Sequence, residues 1–191
     1  MEGKMSDETG VIARRPVLQS ALGLAVGVAT AALPVAAAEP AEGKAGDFNF
    51  LAGEWRISHR RLKPETGEWD EFTGEDTCWT ILNGAGSIEE LRIPARNFAG
   101  VGIRLFETER KLWSDFWVNA KSGVLTTPGL TGTFRNGEGV FEADEMDGDH
   151  PIKVRGTWDR ITPTSHRWYQ TVSRDGGKTW QANWYMEWVR A

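Results

Sequence analysis

The chain is poor in the residues that build most sites. It has one cysteine, two tyrosines and three histidines in 191 residues. A single thiol, Cys78, excludes an internal disulfide. A zinc site needs His, Asp or Glu converging in threes, and of the histidines, His59, His150 and His166, only His59 and His166 could converge, and only if their strands meet. No Gly-x-Ser-x-Gly, phosphate loop or reactive-cysteine setting is present. There is no basic block, and the net charge is −5. That balance leaves nothing to grip nucleic acid or an anionic membrane. After residue 38 no window of a dozen residues keeps a helical period, which argues against a helical domain. No repeat of about 20–50 residues is visible either.

What is there begins with a leader. Arg14-Arg15 precede an apolar, alanine-rich run from Val17 to Ala38, and Ala36 and Ala38 form an Ala-x-Ala cleavage site before Glu39. The paired arginines, in Ala13-Arg14-Arg15-Pro16-Val17-Leu18, are similar to a twin-arginine export signal. Residues 1–38 are therefore expected to be a cleaved export signal, 39–46 a short linker and 47–191 the folded domain. The run is long enough to span a bilayer, for which about 20 residues suffice. Gln19, Ser20, Gly23, Gly27, Thr30 and Pro34 make it a poor permanent helix. The expected location is the periplasm or the outside of the cell, with no membrane contact after cleavage.

From Phe48 onward the chain reads as short alternating segments between turn signals. Phe48, Phe50 and Leu51 make an apolar plug, expected as one turn of helix or 3₁₀. Strands are expected at about 54–62, 68–82 (with an interruption at Gly74), 87–93, 101–107, 111–119, 123–127, 130–135, 139–146, 152–161, 166–173 and 180–190. Asn83-Gly84, Asn136-Gly137 and Asp175-Gly176-Gly177 are turn sequences. Regular short strands joined as successive hairpins predict an all-β, up-and-down antiparallel barrel of eight to ten strands.

In such a barrel every second side chain enters the lumen. Trp55, Ile57, His59 and Arg61 share one face of the first strand, and Trp113, Asp115 and Trp117 share one face of the fifth. All ten tryptophans follow residue 38. Trp113, Trp117, Trp158, Trp168 and Trp184, with His59, Arg61 and Asp115, are the candidate ligand-binding residues. Indole walls suit a flat, amphipathic or sugar-like guest, and the same rings would also serve as plain core. Arg190, near the end of the last strand, is expected to latch onto Trp55 at the start of the first. Glu71, Glu75 and Asp115 are the carboxylates placed by face to assist His59 in acid–base chemistry. The alternative puts Glu71, Glu75, Asp76, Glu89 and Glu90 on a solvated strand surface, paired with Arg92 or Arg104.

Three resemblances add to this. Gly53-Glu54-Trp55 resembles the Gly-x-Trp signature of lipocalins, in which the Trp closes the barrel floor under an Arg from the last strand. The Thr-Asp-x-Asp-Tyr turn of lipocalins is absent, so the likeness is to the wider calycin-like architecture. Phe50-Leu51-Ala52-Gly53-Glu54-Trp55, His59 to Leu62, Trp113 to Trp117, Pro151 to Arg155, and Ser173 to Trp180 with Asn183 to Met186 look like a bacterial calycin-like family of unknown function. That family implies the fold and no activity, and its segment after Trp113 tends to be apolar where this chain has Asp115. Ser173 to Trp180 also matches Ser-x-Asp-x-Gly-x-Thr-Trp, the Asp-box hairpin of sialidases, where the box is structural. One copy cannot make a propeller.

The expectation is an exported barrel that binds a small, aromatic or amphipathic ligand in its lumen, with no cofactor and no metal. Three alternatives stay open. One is an enzyme using His59 as acid or base with a lumen carboxylate. Another is a haem-binding barrel, although the Gly-x-Trp-x-Gly-x-Gly entry of haem barrels is not matched after Trp55. The last is a scaffold whose core is filled with tryptophan.

Overall fold

The computed structural model describes residues 42–191, so the expected export signal and the first residues of the expected linker lie outside the described residues. Ten antiparallel strands follow in chain order. They are β1 (Gly53–Leu62), β2 (Trp69–Ile81), β3 (Gly86–Ile93), β4 (Phe98–Glu107), β5 (Leu112–Asn119), β6 (Leu130–Arg135), β7 (Glu138–Asp147), β8 (His150–Asp159), β9 (Ser165–Ser173) and β10 (Gln181–Arg190). Each pairs with its neighbours in sequence, and β1 pairs with β10, so the sheet closes into an up-and-down barrel. Among the described residues no helix is long and apolar enough to cross a membrane.

Alternation does the sorting. Trp55, Ile57 and His59 are buried on β1, while Glu54, Arg56, Ser58 and Arg60 are exposed. Two expectations need correction. The second strand is not interrupted: Gly74 lies within it, opposite Ile57, because a glycine is what the position requires. A side chain there would meet the His59 imidazole, whose Nε2 is 2.6 Å from where a Cβ would stand. The expected strand at 123–127 is absent. It contributes only a single bridge, Leu125 to Val118, because β5 and β6 part company after three residue pairs and the intervening chain leaves the ladder. Glu71 and Glu75 point outward and are exposed.

The floor is built from the plug. Asn49–Leu51 forms the expected 3₁₀ turn, and Leu51 is fully buried. The Phe48 ring sits 5.0 Å from the rings of Trp113 and Phe134 and 5.4 Å from Phe141, mostly in edge-on geometry. Such arrangements suit the aromatic quadrupole and add about 0.5–1.5 kcal/mol per pair to the area they bury. The preceding residues are held too: the Gly43 amide donates to the Lys111 carbonyl at 2.7 Å and the Gly46 amide to Gly84 at 2.8 Å.

Trp55 and Arg190 fasten the plug to the closing strands. They face each other in the β1–β10 ladder. The Arg190 guanidinium lies 3.9 Å from the centre of the Trp55 ring. Its Nη1 donates to the Ala52 carbonyl at 2.6 Å, its Nη2 to the Pro163 carbonyl at 3.1 Å, and the Trp55 indole donates to the Leu51 carbonyl at 2.6 Å. One side chain thus satisfies two carbonyls and caps a ring. Arg190→Ala should cost about 1–2 kcal/mol, a fall of several degrees in melting temperature for a domain of this size. Arg190→Lys keeps the charge without the planar fork and should restore only part of the loss, as thermal denaturation followed by circular dichroism will read.

His166 stands between the floor and the lumen, 1 % exposed, with its ring 4.4 Å from Trp55, 4.8 Å from Trp188 and 5.2 Å from Phe50. Neither ring nitrogen has a hydrogen-bond partner among the described residues. Burial, helped by the positive charges of Arg104 and Arg190, lowers its pKa to about 3. The unfolded chain therefore binds this proton where the folded chain does not, and the native state loses stability as pH falls from about 6.5 towards 3. In His166→Phe that loss disappears. The difference in melting temperature between wild type and variant should be flat above about pH 7 and should move against the wild type on acidification below about 6.5.

Candidate functional site

Above the floor the lumen holds a cavity of about 300 Å³. Its walls are Trp117 from β5, Trp158 from β8, Trp168 from β9 and Trp184 and Trp188 from β10, with Leu91, Leu130, Val154 and Met186 between them. The tryptophans come together because the ladder places them so. Trp158 pairs with Trp168, and Trp168 with Met186 between Trp184 and Trp188. Trp168 and Trp184 meet edge-on at 5.8 Å, and Trp158 and Trp188 lie 5.8 Å apart. Thr126, Pro128 and Gly129, from the chain that leaves the β5–β6 ladder, line it on that side. The Trp158 and Trp188 indole N–H groups are buried and have no acceptor among the described residues.

The polar lining centres on Arg104 of β4, which is 3 % exposed. Its Nη2 donates to Glu89 at 2.8 Å, and its Nε lies 3.4 Å from the Asp115 carboxylate. Its guanidinium also sits 5.0 Å from the Trp158 ring and 5.2 Å from Phe48. Burial works against the charge, but Asp115 and Glu89 outweigh it and hold the proton more firmly than usual. Burial pushes Asp115 up to about 6, with Arg104 opposing and Glu89 adding to the rise. Burial and the nearby Glu89 push Asp76 up to about 8. The Cys78 thiol, which donates to Asp76 Oδ1 at 3.2 Å, is raised by burial and by the same two carboxylates. Glu89 has room for its side chain because Gly102 faces it: a Cβ there would stand 2.6 Å from Glu89 Oε1.

Of the residues read from sequence, Asp115, Trp117, Trp158, Trp168 and Trp184 line this cavity, and His59, Arg61 and Trp113 do not. Trp113 is fully buried in the floor against Phe48, its indole 3.3 Å from Asp47 Oδ2. Arg61 keeps the inward parity of β1 but is exposed near the strand's end, its guanidinium 4.5 Å from the Trp184 ring. His59 is buried, stacked on Phe72 at 4.5 Å, and its Nδ1 accepts the Trp184 indole N–H at 3.3 Å. Its Nε2 has no partner among the described residues, and no carboxylate is hydrogen-bonded to it. Burial, with the charges of Arg96 and Arg61, lowers it to about 4. That is a weak base, oriented by an indole where acid–base catalysis would use a carboxylate.

Asp76 and Glu89 are the main departure from the sequence reading. They are buried, at 1 % and 4 % exposure, instead of lying on a solvated face. The signal is in the sequence. Glu75-Asp76 and Glu89-Glu90 are adjacent acids on strands, and neighbouring strand residues face opposite sides, so one of each pair must point in. The Asp-box is a turn: Asp175 Oδ1 accepts the amides of Lys178 at 3.0 Å and Thr179 at 2.9 Å, and Ser173 Oγ accepts that of Gly177 at 2.8 Å. It lies away from the cavity lining.

No protein-family profile matches this chain, and no curated protein matches it. Several solved structures resemble it in backbone, two of them, at low identity, as follows. One is the S-type phycobiliprotein lyase CpeS from Guillardia theta, with 11 % identity, a TM-score of 0.47, and 75 % of this chain and 90 % of that chain covered. The other is Rv2717c from M. tuberculosis, with 12 % identity, a TM-score of 0.47, and 74 % and 93 % covered.

Proposed function

We propose that the barrel binds a small, flat, aromatic or amphipathic molecule in the tryptophan-lined cavity. The observation that carries this is the five-tryptophan wall around an open volume of about 300 Å³, the low end of the range for ligand pockets. By comparison with about 30 Å³ per liquid water, the volume takes a guest on the order of ten heavy atoms, one or two fused rings. Two indole donors without acceptors, Trp158 and Trp188, favour a guest that carries oxygen or nitrogen acceptors. Asp115 and Arg104 add an orienting dipole at one wall. The open cavity speaks against the reading of a scaffold with a filled core, and the setting of His59 against its use as acid or base.

Tryptophan fluorescence titrated with small heteroaromatic probes, indole and quinoline derivatives first, should quench saturably. Trp117→Ala should weaken binding about tenfold, the worth of one lost aromatic contact. Trp79→Ala, on the outer face and 48 % exposed, should leave the affinity unchanged. Quenching that never saturates, or that responds equally to both substitutions, would remove the cavity as the binding site. Native mass spectrometry of protein from its own host would identify a retained guest directly.

The same proposal places the barrel in the periplasm or outside the cell, on the strength of Arg14-Arg15, the apolar run and the Ala36-x-Ala38 site. Amino-terminal sequencing of the protein recovered from that compartment should begin near Glu39. A full-length chain confined to the cytoplasm would contradict it.

A further inference from the structure

Beside the cavity, the wall of the barrel carries a second constellation. Asp76 and Cys78 stand two apart on β2 and project inward side by side, and Glu89 of β3 is the ladder partner of Cys78. One donor atom from each lies within 4.8 Å of the other two. All three are buried, at 1 %, 3 % and 4 % exposure.

Charge around them does not balance within the protein. Asp76, Glu89 and Asp115 are three carboxylates in one region, and Arg104 is the one buried guanidinium among them, occupied with Glu89 and Asp115. Arg92 bears on Asp76 only at a distance. It lies on the outer side, bonded to Glu90 and to the Thr77 hydroxyl. Asp76 itself receives only the weak Cys78 thiol on Oδ1, and its Oδ2 has no hydrogen-bond partner among the described residues although it is out of reach of water. Buried carboxylate oxygens in folded proteins are paired, protonated or bound to a cation.

We propose that Asp76, Cys78 and Glu89 bind one divalent cation of borderline softness, of which zinc is the type. A thiolate beside two carboxylates selects it: calcium and magnesium take oxygen donors only, and copper(I) prefers more sulfur. On binding, the sulfur–metal bond forms as the Cys78 proton leaves to solvent, the proton that burial holds on Asp76 leaves with it, and the cation becomes the partner that Asp76 lacks. The three donors then close on it to about 2.0–2.3 Å. Two hydrogen-bonded strands fix the donor backbones, so the site is organised before the ion arrives. It shares only Glu89 with the ligand cavity and stands independently of what that cavity binds.

Cobalt(II) is the probe, because its thiolate charge-transfer and tetrahedral d–d absorptions report sulfur coordination directly. The full chain, stripped with chelator and refolded in the presence of Co²⁺ so that burial sets no barrier to access, should develop both bands at one equivalent. Zinc should bleach them. Cys78→Ser should abolish the charge-transfer band, and Asp76→Asn should weaken Co²⁺ binding at least tenfold. Should Cys78→Ser fail to fold by circular dichroism, Glu89→Gln, which keeps the side-chain shape, should show the same tenfold weakening with the thiol still in place. Folded wild type that takes up no cobalt overturns the proposal, and so does cobalt binding without a thiolate band or binding that survives Asp76→Asn and Glu89→Gln undiminished.

Discussion

The pairing of β1 with β10 is the constraint from which the rest follows. Seven residue pairs join the two strands, from Trp55 opposite Arg190 to Arg61 opposite Trp184. Without them the sheet has two exposed edges, each a row of unsatisfied backbone groups. With them the inward faces of all ten strands enclose one volume, whose lower end is filled from within the chain. The plug before β1 fills the bottom, and the closing strands supply the ring and the cation that hold it. Closure and core are therefore one event, since the floor needs a lumen to fill and the lumen needs a floor to stay dry.

Within that enclosure the barrel separates two kinds of chemistry. The floor is aromatic and has few charges, and its histidine stays neutral because burial, with Arg104 and Arg190 nearby, disfavours its charge. The wall formed by β2 to β5 is ionic, with one guanidinium serving two carboxylates and a third left beside a thiol. Buried ion groups of this sort are a weak source of net stability, because removing each charge from water offsets much of the attraction. Their presence is better explained by what they can hold than by what they hold together. Four of the five cavity tryptophans come from β8 to β10, while Glu89, Arg104 and Asp115 come from β3 to β5 beside Trp117, which gives the volume a polar axis.

Much of the architecture was legible in the sequence. Turn dipeptides and alternation located the strands to within a few residues, because in an up-and-down barrel both signals are local. The facing of Trp55 and Arg190 followed from closure, because the start of the first strand must meet the end of the last. The candidate site was less legible. Trp113 and Trp117 share a strand face, yet one lies in the floor and the other in the cavity, because depth along the barrel axis depends on strand tilt and register with non-adjacent strands. Arg61 has the inward parity and still reaches solvent for the same reason. Asp76 and Glu89 were assigned by charge when adjacency was the better guide. The missing strand at 123–127 has hydrophobic residues and strand propensity but meets β5 at a single bridge, and pairing is not a property of the segment itself.

The three-pair seam between β5 and β6 has a kinetic consequence. Every other junction in the barrel is longer, so these two strands separate most readily while the plug and the β1–β10 junction stay intact. Local openings cost least where the fewest ladder bonds are broken. Opening there would widen the side of the cavity that Thr126, Pro128 and Gly129 line. Backbone pairing at this seam would then tune access to the cavity through residues that do not line it.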